Sequence, residues 1–421
     1  MLDIKFIRAN IQQIKNNIIN RNINLDLDEL LKTDDHRKKL QAKLDDLRSQ
    51  QNLASQQIAK SEGAEKQKII QSMQVIADQA KEIKVESDAT HSKFNELMEQ
   101  VPNISHPKTP VGKSDANNVE IEKVGEVRNF NFTPKDHVTL GMSLDLLDFE
   151  KGANVVGSKF YYCKNELVQL ELALVSFALN LLKGHGFTLI TTPDLAKRDM
   201  IKASGFNPRD DSDQIYNISN TDLSLIATSE ITIGAYHMNE TFKDTDLPKK
   251  YVGYSHCFRK EAGTYGQESK GLYRVHQFTK IEMYIICLPE DSEIRHLELL
   301  EIEKEIFTKL GIPFRIVEIC TGDMGVPAYR KYDLEAWMPM KNGYGEITST
   351  SNCTDYQARR LKIKHKSADG QKEFAHTLNG TAIAISRAII AILENYQQAD
   401  GSIVIPEVLR PYMGNLILIK R

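Results

Sequence analysis

Arginine, glutamate, lysine and phenylalanine recur at alternate positions near the ends of two predicted strands, residues 251–259 and 272–286. Because successive side chains of a strand point to opposite faces, one face of the second strand would carry Arg274, His276, Phe278, Lys280 and Glu282. Guanidinium groups bind phosphate or carboxylate oxygens through paired hydrogen bonds, and an aromatic ring offers a stacking surface for a base. These side chains suit a ligand with a flat ring, phosphates and an ammonium group. The alternative is a solvated strand face with cross-strand ion pairs.

The two predicted strands are joined by a polar segment, residues 260–271, which contains three glycines and no apolar run. This composition is typical of a loop that leaves the sheet. Long loops within compact domains are usually functional, so the loop favours the interpretation of the strand face as a ligand site.

Two further stretches carry isolated charges. Residues 381–396 read as a helix whose apolar stripe includes Arg387. An unpaired charge there would be costly, so an anion must meet this guanidinium, either a structural carboxylate or a ligand phosphate. Residues 345–353 read as a strand with Glu346 as its only charge. Glu346 and Ser349 would lie on opposite faces of a regular strand, so joint service at one ligand requires a bulge or a twist.

The composition limits the classes of protein to which the chain can belong. Its 421 residues fit two or three domains, and a formal net charge of −3 gives no general attraction to nucleic acid or membrane. The five cysteines are scattered without CxxC pairing, so we expect no zinc, no disulfide framework and a reducing compartment. Neither a long apolar run nor a signal-peptide core is present, so the sequence predicts a cytoplasmic protein without a membrane span.

The N-terminal part shows the clearest periodicity. Residues 3–20 are predicted to be helical, and apolar residues then recur at alternating spacings of four and three in two runs, residues 40–58 and 69–101. Heptad runs of similar length on either side of a turn at Gly63 predict an antiparallel helical hairpin, with arms about 50 Å long at 1.5 Å per residue. Since its charges nearly cancel, composition alone favours a dimerisation or spacer coiled coil.

A second domain is predicted after a segment rich in proline and polar residues, 102–118. Residues 166–182 predict a helix that is apolar on nearly all sides, which requires burial in a core or at a subunit interface. A short strand, residues 187–192, ends before Pro193. The basic segment 359–366 reads as an exposed strand face, with contact to RNA as the alternative.

Taken in their order along the chain, the helix and strand that end before Pro193, the two strands with their polar loop and the helix that carries Arg387 resemble the three signature motifs of class II aminoacyl-tRNA synthetases. Their finer pattern resembles the seryl-tRNA synthetases. The matching segments are Thr228-Ser229-Glu230, CFRKEAG (257–263), RVHQFTKIE (274–282), EITSTSNCTDYQARR (346–360) and NGTAIAISR (379–387). The hairpin is similar to the tRNA-binding arm of that family, so the resemblance covers essentially the whole chain. It implies an α+β fold: an N-terminal antiparallel helical hairpin, residues 1–105, and a class II catalytic domain, residues 106–421, with a mainly antiparallel sheet flanked by helices.

The resemblance also implies roles for individual residues. The residues that would bind serine are Thr228, Ser229, Glu230, Arg259, Glu282, Asn379 and Thr381. The residues that would bind ATP are Arg259, Lys260, Glu261, Arg274, Val275, Phe278, Glu346, Ile347, Thr348, Ser349 and Arg387. Arg259, Glu346 and Arg387 would serve catalysis, and Glu346 with Ser349 would hold Mg²⁺ with the ATP.

The activity that the resemblance implies is aminoacylation in two steps. Serine would react with ATP to give seryl-adenylate and pyrophosphate, and the seryl group would then pass to the terminal adenosine of tRNA(Ser), with tRNA(Sec) left open as a second acceptor. The helix 166–182 and the strand after it would form a homodimer interface. The sequence contains no GxSxG, HExxH or Walker A motif, which agrees with chemistry that needs no protein nucleophile.

The chain departs from the family pattern at Thr232, where proline is usual, at Ala382, and at Glu268-Ser269-Lys270 in the loop. These differences concern the fine shape of the pocket and leave the charged set intact. Two rival functions are a ligase that loads a carrier protein with serine or glycine, and a non-catalytic coiled-coil protein with an inactive synthetase domain. The long arm argues against the first rival, and the intact arginines and Glu346 argue against the second.

Overall fold

The computed structural model of the chain describes residues 1–206, 214–261 and 271–421. The chain divides into two compact units, one of residues 2–102 and one of residues 103–421 together with Met1. Most of the glycine-containing loop, including the departure at Glu268-Ser269-Lys270, lies outside the described residues.

The first unit is helical, with α1 (Ile4–Ala9), α2 (Ile11–Asn20), α3 (Leu27–Ile58) and α4 (Gly63–Gln100). Helices α3 and α4, of 32 and 38 residues, form the predicted hairpin and measure about 48 and 57 Å at 1.5 Å per residue. Members of the predicted heptad stripe are buried between them: Leu40, Leu47, Ala54, Ser87 and Phe94. The helical hairpin is therefore confirmed.

A buried carboxylate organises the base of the hairpin. Asp34 is fully buried and pairs with Arg8 at 2.7 Å, Arg37 at 2.8 Å and Lys38 at 2.7 Å. Burial alone would raise the pKa of Asp34, but the three cations hold it at about 2. Since Arg37 also lies 4.6 Å from the centre of the Phe94 ring, this cluster connects α1, α3 and α4.

The second unit combines helices and strands. Its helices are α5 (His137–Ser143), α6 (Phe149–Val155), α7 (Glu166–Gly184), α8 (Arg198–Ser204), α9 (Glu230–Tyr236), α10 (Ser292–Lys309), α11 (Tyr356–Leu361) and α12 (Ile385–Tyr396). Its strands are β1 (Val119–Val124), β2 (Leu147–Asp148), β3 (Tyr162–Cys163), β4 (Thr188–Thr191), β5 (Leu195–Lys197), β6 (Leu223–Leu225), β7 (Thr241–Lys243), β8 (Lys249–Phe258), β9 (Gln277–Cys287), β10 (Phe314–Glu318), β11 (Arg330–Met338), β12 (Gly343–Asn352), β13 (Lys364–Lys366), β14 (Lys372–Phe374), β15 (His376–Ala384), β16 (Ile403–Val404) and β17 (Leu418–Ile419).

Within the part of the chain that the structure describes, eight strands form the main sheet in the order β1-β10-β11-β12-β15-β9-β8-β4. Neighbouring strands are antiparallel except β4 and β8, which pair in parallel. Helices α7, α10 and α12 pack their apolar residues, such as Leu174, Phe307 and Ile389, into one core with this sheet. The predicted mainly antiparallel sheet flanked by helices is confirmed.

Helix α7 has the length and hydropathy of a membrane span by composition alone, and 44% of the apolar window is buried inside the protein. Leu167, Leu170 and Leu174 are fully buried in the core of the second unit. A core helix passes the same test of length and hydropathy, so the measure is weak evidence for a membrane span.

Several predicted elements have other bounds in the structure, and the single helix predicted over residues 3–20 is divided into α1 and α2. The helix predicted from residue 381 begins at Ile385, because Thr381 and Ala384 pair with β9 as part of β15. The strand predicted from residue 272 begins at Gln277. The basic segment 359–366 is split between the end of α11 and the strand β13.

The segment 102–118 is less of a linker than its composition predicts, because its first residues are anchored in the second unit. Asn103 is buried, and its side-chain amide donates hydrogen bonds of 2.9 Å to the carbonyl oxygens of Pro327 and Cys353. A polar side chain whose donors are satisfied in this way can be buried at little cost.

Candidate active site

A polar cavity of about 560 Å³ lies against strands β9, β11, β12 and β15 of the main sheet. Alternate residues of β9 line it, namely Phe278, Lys280 and Glu282, as the two-residue period predicts. Asn379 and Thr381 reach it from the neighbouring strand β15. The strand face that the sequence singled out is therefore the wall of a cavity rather than a solvated surface.

A bulge in β12 brings Glu346 and Ser349 to the same cavity. Thr348 pairs with Leu334 of β11, while the next pairing joins Glu346 to Glu335, so that Ile347 is the extra residue. One extra residue reverses the alternation of side chains, and both Glu346 and Ser349 line the cavity. The bulge that Glu346 and Ser349 need in order to contact one ligand together is therefore present.

Arg387, near the start of α12, meets a structural carboxylate. Its Nη1 donates to the backbone oxygen of Glu346 at 2.9 Å and pairs with Oε2 of the same residue at 3.2 Å, and the guanidinium lies 4.6 Å from the Tyr273 ring centre. The side chain of Glu346 is 43% exposed; its partial burial would raise its pKa, but Arg387 and Lys331 lower it to about 2. Glu346 is thus ionised, and both partners line the cavity.

Arg259 follows β8, and its guanidinium forms no ion pair with a described carboxylate, although its charge acts on Glu346 and Glu230. Its guanidinium lies 5.7 Å from the ring centre of Phe206 and 5.4 Å from that of Phe278. Its Nε is buried and has no hydrogen-bond partner among the described residues. A cation close to two aromatic rings is stabilised by their π electrons, and its paired N–H groups are available to an anionic ligand.

Two further carboxylates, Glu282 and Glu230, line the cavity. Oε2 of Glu282 pairs with Lys280 Nζ at 2.7 Å and accepts the hydroxyl of Thr381 at 2.9 Å. Oε1 of Glu230, the first residue of α9, accepts Asn379 Nδ2 at 2.9 Å. Burial, and then the negative charge of Glu282, raise the pKa of Glu230 to about 7. The charge of Glu282 is compensated by Lys280, whereas the hydrogen-bond donors to Glu230 among the described residues are the neutral amides of Gln357 and Asn379.

Most residues that the sequence assigned to a site line this one cavity: Thr228, Glu230, Arg259, Glu261, Arg274, Val275, Phe278, Glu282, Glu346, Ile347, Thr348, Ser349, Asn379, Thr381 and Arg387. Ser229 and Lys260 are not among the described residues that do. Ser229 is fully buried, because its side chain packs behind α9 against Gly253, where a Cβ would lie 2.7 Å from the serine Oγ. Lys260 is bonded to a neighbouring segment instead, because its backbone N–H donates to the backbone oxygen of Gln214 at 3.1 Å.

Two family departures also lie away from the cavity wall. The hydroxyl of Thr232 donates to the backbone oxygen of Ser229, the residue before α9, at 3.1 Å. Ala382 is fully buried and is the extra residue of a bulge between β15 and β9. Neither is among the described residues that line the cavity, so both can affect the pocket only through the backbone that carries it.

Sequence reasoning missed Phe206 and Lys331, which also line the cavity. Lys331 of β11 pairs with Asp333 at 3.0 Å. The acid two residues further along the chain was a usable signal for this ion pair. Phe206 follows α8 and carries no signal in the sequence, because only the fold brings it beside Arg259.

A mainly antiparallel sheet whose strands bring these arginines and carboxylates into one cavity defines the second unit as a class II aminoacyl-tRNA synthetase core. A family model described as the tRNA synthetase class II core domain (G, H, P, S and T) matches residues 215–396, and one described as the seryl-tRNA synthetase N-terminal domain matches residues 1–105. The chain belongs to the seryl-tRNA synthetase family, and the resemblance found in its sequence is confirmed.

Named relatives and solved structures are similar to this protein over nearly the whole length of the chain. The chain is 52% identical to the serine–tRNA ligases of Treponema denticola and Dictyoglomus turgidum, in each case over 98% of its length and 99% and 98% of theirs. The crystal structure of seryl-tRNA synthetase from Pyrococcus horikoshii complexed with ATP superposes with a TM-score of 0.87 at 40% identity, covering 100% of this chain and 99% of that one. Cytoplasmic serine–tRNA ligase from Naegleria fowleri in complex with AMP gives 0.82 at 32% identity, covering 98% and 96%.

Proposed function

We propose that this chain is a serine–tRNA ligase, which activates L-serine with ATP to seryl-adenylate and transfers the seryl group to the 3′ end of tRNA(Ser). The observation that carries the proposal is the guanidinium of Arg259, which has no described ion-pair partner and lines the same cavity as the carboxylates Glu230 and Glu282 and the arginine Arg387. The ATP and AMP bound in the two related structures support a nucleotide at this site.

ATP occupies the half of the cavity walled by β12 and the start of α12. Phe278 stacks on the adenine, and Arg274 and Arg387 bind the β- and γ-phosphates through their forks. The remaining nucleotide contacts come from Glu261, Val275, Ile347 and Thr348, which line the cavity, and the family resemblance adds Lys260.

Serine occupies the half that is walled by β15 and α9. Glu230 binds the ammonium group, because the charge of Glu282 is already compensated by Lys280. Glu282 and Thr381 then bind the hydroxyl group, and Arg259 binds the carboxylate. Thr228, whose hydroxyl accepts the Glu230 backbone N–H at 3.2 Å, completes the pocket with Asn379.

The reaction needs positioning and charge neutralisation rather than a protein nucleophile. A carboxylate oxygen of serine attacks the α-phosphorus in line, the bond to the bridging oxygen breaks, and pyrophosphate leaves. Arg259 spans the attacking carboxylate and the α-phosphate, so it both aligns them and stabilises the charge that develops there. The hydroxyl of the terminal tRNA adenosine then attacks the carbonyl carbon of the adenylate and AMP leaves.

The oxygens of Glu346 and Ser349 fit Mg²⁺ bound with ATP. In nucleotide sites Mg²⁺ takes one or two protein oxygens beside the phosphates. Glu346 is ionised through Arg387, and the bulge turns its carboxylate and the Ser349 hydroxyl to one cavity wall. When bound there, the ion would neutralise phosphate charge, while Arg387 keeps the carboxylate ionised and in place.

The amino acid that supports ATP–pyrophosphate exchange tests this function. We expect serine to exceed alanine and glycine by about 10⁴-fold in kcat/KM, because a pocket built to hydrogen-bond a hydroxyl rejects ligands that lack it. Threonine is excluded because the pocket has no room for its additional methyl group. Equal exchange with alanine or threonine would contradict the assignment. Charging of tRNA(Ser), tRNA(Sec) and a carrier protein in parallel separates the proposed acceptor from the rival carrier ligase.

The KM for serine should fall as the pH rises through 7. Glu230 must be ionised to bind the ammonium group, and its pKa is about 7, so protonation at lower pH competes with serine. Below pH 6 we expect the KM to rise by nearly tenfold per pH unit, while the KM for ATP changes little. Steady-state exchange from pH 5.5 to 8 measures both constants. A serine KM that is flat across this range would contradict the role of Glu230.

The remaining parts of the proposal concern assembly. Residues 1–105 form the tRNA-binding arm and residues 106–421 the catalytic domain. Two copies associate through α7 and β4, where Val168, Leu172 and Leu189 are exposed apolar residues. The five free cysteines are compatible with a reducing compartment, and we assign the protein to the cytoplasm.

A further inference from the structure

A buried glutamine outside the predicted site contacts one of its carboxylates. Gln357 of α11 is fully buried, and its Nε2 donates to Glu230 Oε1 at 2.6 Å and to the Ser204 backbone oxygen at 2.9 Å. Its Oε1 accepts the Tyr284 hydroxyl at 3.0 Å and the Thr377 hydroxyl at 2.7 Å. All four hydrogen-bonding positions of this amide are therefore used.

The partners fix which way the amide faces. The Ser204 carbonyl oxygen can only accept a hydrogen bond, and the ionised carboxylate of Glu230 is likewise an acceptor only. A flipped amide would place its oxygen against both of these acceptors and its NH₂ group against two hydroxyls. Gln357 thus presents a neutral N–H donor to Glu230, held in place by β9 and β15.

The carboxylate of Glu230 is held by one edge only. Its Oε1 accepts the amides of Gln357 and Asn379, and Oε2 accepts no hydrogen bond from a described residue. Since Glu230 lines the cavity, this arrangement leaves the second oxygen for a ligand.

We infer that Gln357 is a positioning residue for the substrate ammonium group: it fixes Glu230 with one oxygen against the protein and the other toward the cavity, without adding charge. The inference rests on the proposed binding of the serine ammonium by Glu230. A cation at position 357 would neutralise Glu230 and compete with the substrate, and an anion would repel the carboxylate. A buried amide with four satisfied hydrogen bonds avoids both.

The charges around Glu230 come from several elements. β9 contributes Glu282, Lys280 and the hydroxyl of Tyr284, and Arg259 faces it from the end of β8. The nearby Cys353 accepts a weak hydrogen bond from Asn379 Nδ2 at 3.7 Å. Lys280 is paired with Glu282, so its charge is already committed and does not offset an acid introduced at position 357.

The Gln357→Glu variant tests the inference, because it keeps size and shape. The new carboxyl group can still accept the Tyr284 and Thr377 hydroxyls, but when ionised it repels Glu230. At pH 8 we expect the KM for serine in pyrophosphate exchange to rise about 10- to 100-fold, the range for a hydrogen bond to a charged group, with the KM for ATP within about twofold. The increase should become smaller toward pH 6, where Glu230 and the carboxyl group introduced at position 357 share one proton.

Gln397→Glu is the matched control. Gln397 is also fully buried, and its amide bonds to the backbone N–H and oxygen of Lys135 and the oxygen of Glu394. It is not among the described residues that line the cavity. The same isosteric change there should leave both KM values unaltered, whatever it does to stability.

Further variants separate the possible failures. If Glu230→Gln leaves the KM for serine unchanged, the proposed role of Glu230 fails, and the inference with it. If Glu230→Gln raises that KM and Gln357→Glu does not, the inference alone is overturned. Equal rises for serine and ATP would indicate a merely structural glutamine and also overturn it. Should Gln357→Glu not fold, Thr377→Val removes one hydroxyl that fixes the amide, and a severalfold rise confined to serine is expected; no change would contradict the inference.

Discussion

Replacing Arg259 with alanine is expected to lower serine-dependent ATP–pyrophosphate exchange by about 10³-fold, with the protein still folded. Its guanidinium is the group that spans the attacking carboxylate and the α-phosphate, and loss of one such preorganised donor typically costs 10²- to 10³-fold in kcat. Folding should survive because no described carboxylate loses an ion-pair partner. Exchange kinetics and thermal unfolding measure the two effects separately.

A second substitution shows whether the paired N–H groups of Arg259 or its charge is responsible, and a third serves as a control. Arg259→Lys keeps a cation but loses the bidentate geometry, so we expect an intermediate rate. Arg359→Ala is the matched control, because Arg359 also lies over an aromatic ring, 4.7 Å from the centre of Phe374, but pairs with Asp355 away from the cavity. Near-normal exchange by Arg259→Ala would remove this residue from the mechanism.

Features that depend on local periodicity could be read from the sequence. The two-residue alternation of β9 placed Phe278, Lys280 and Glu282 on one face, and the heptads placed Leu40 and Phe94 at the helix–helix contact of the hairpin. In both cases the side chains that share a face are fixed by the period of the element itself. No knowledge of distant partners was needed.

Features that depend on strand pairing could not be read in this way. Thr381 and Ala384 belong to a segment rich in alanine and isoleucine that continues into α12, so a helical interpretation was natural; pairing with Glu282 and Lys280 makes it a strand. The need for a bulge at Glu346 could be deduced only because two motif residues had to reach one ligand. Long-range register is a property of the assembled sheet.

Gln357 is the clearest case of information absent from the local sequence. It stands within a motif segment, yet nothing in its neighbours indicates that it contacts Glu230, 127 positions earlier. A glutamine in a short helix is ordinarily exposed. Its role becomes visible only when the three-dimensional hydrogen bonds are traced, which is why the charged residues of the site were easier to find than the neutral one that holds them.

Removing the arm is expected to separate the two steps of the reaction. A chain in which residues 33–97 are replaced by a short glycine–serine linker should keep pyrophosphate exchange within about twofold, because the described cavity wall runs from Ser204 to Arg387 and residues 2–102 form a compact unit of their own. Serylation of tRNA should fall about 10³-fold, corresponding to a loss of about 4 kcal/mol of binding free energy. Parallel exchange and aminoacylation assays measure the two steps.

A graded series sharpens the comparison. Shortening α3 and α4 from the tip by one heptad each preserves their apolar stripe, so such variants should stay folded while tRNA charging declines with arm length. If exchange fell together with charging, the arm would be needed for the catalytic fold rather than for the acceptor. If charging persisted without the arm, the hairpin would be the spacer or dimerisation element that its nearly neutral composition favours. Only selective loss of the second step agrees with an arm whose partner is the tRNA.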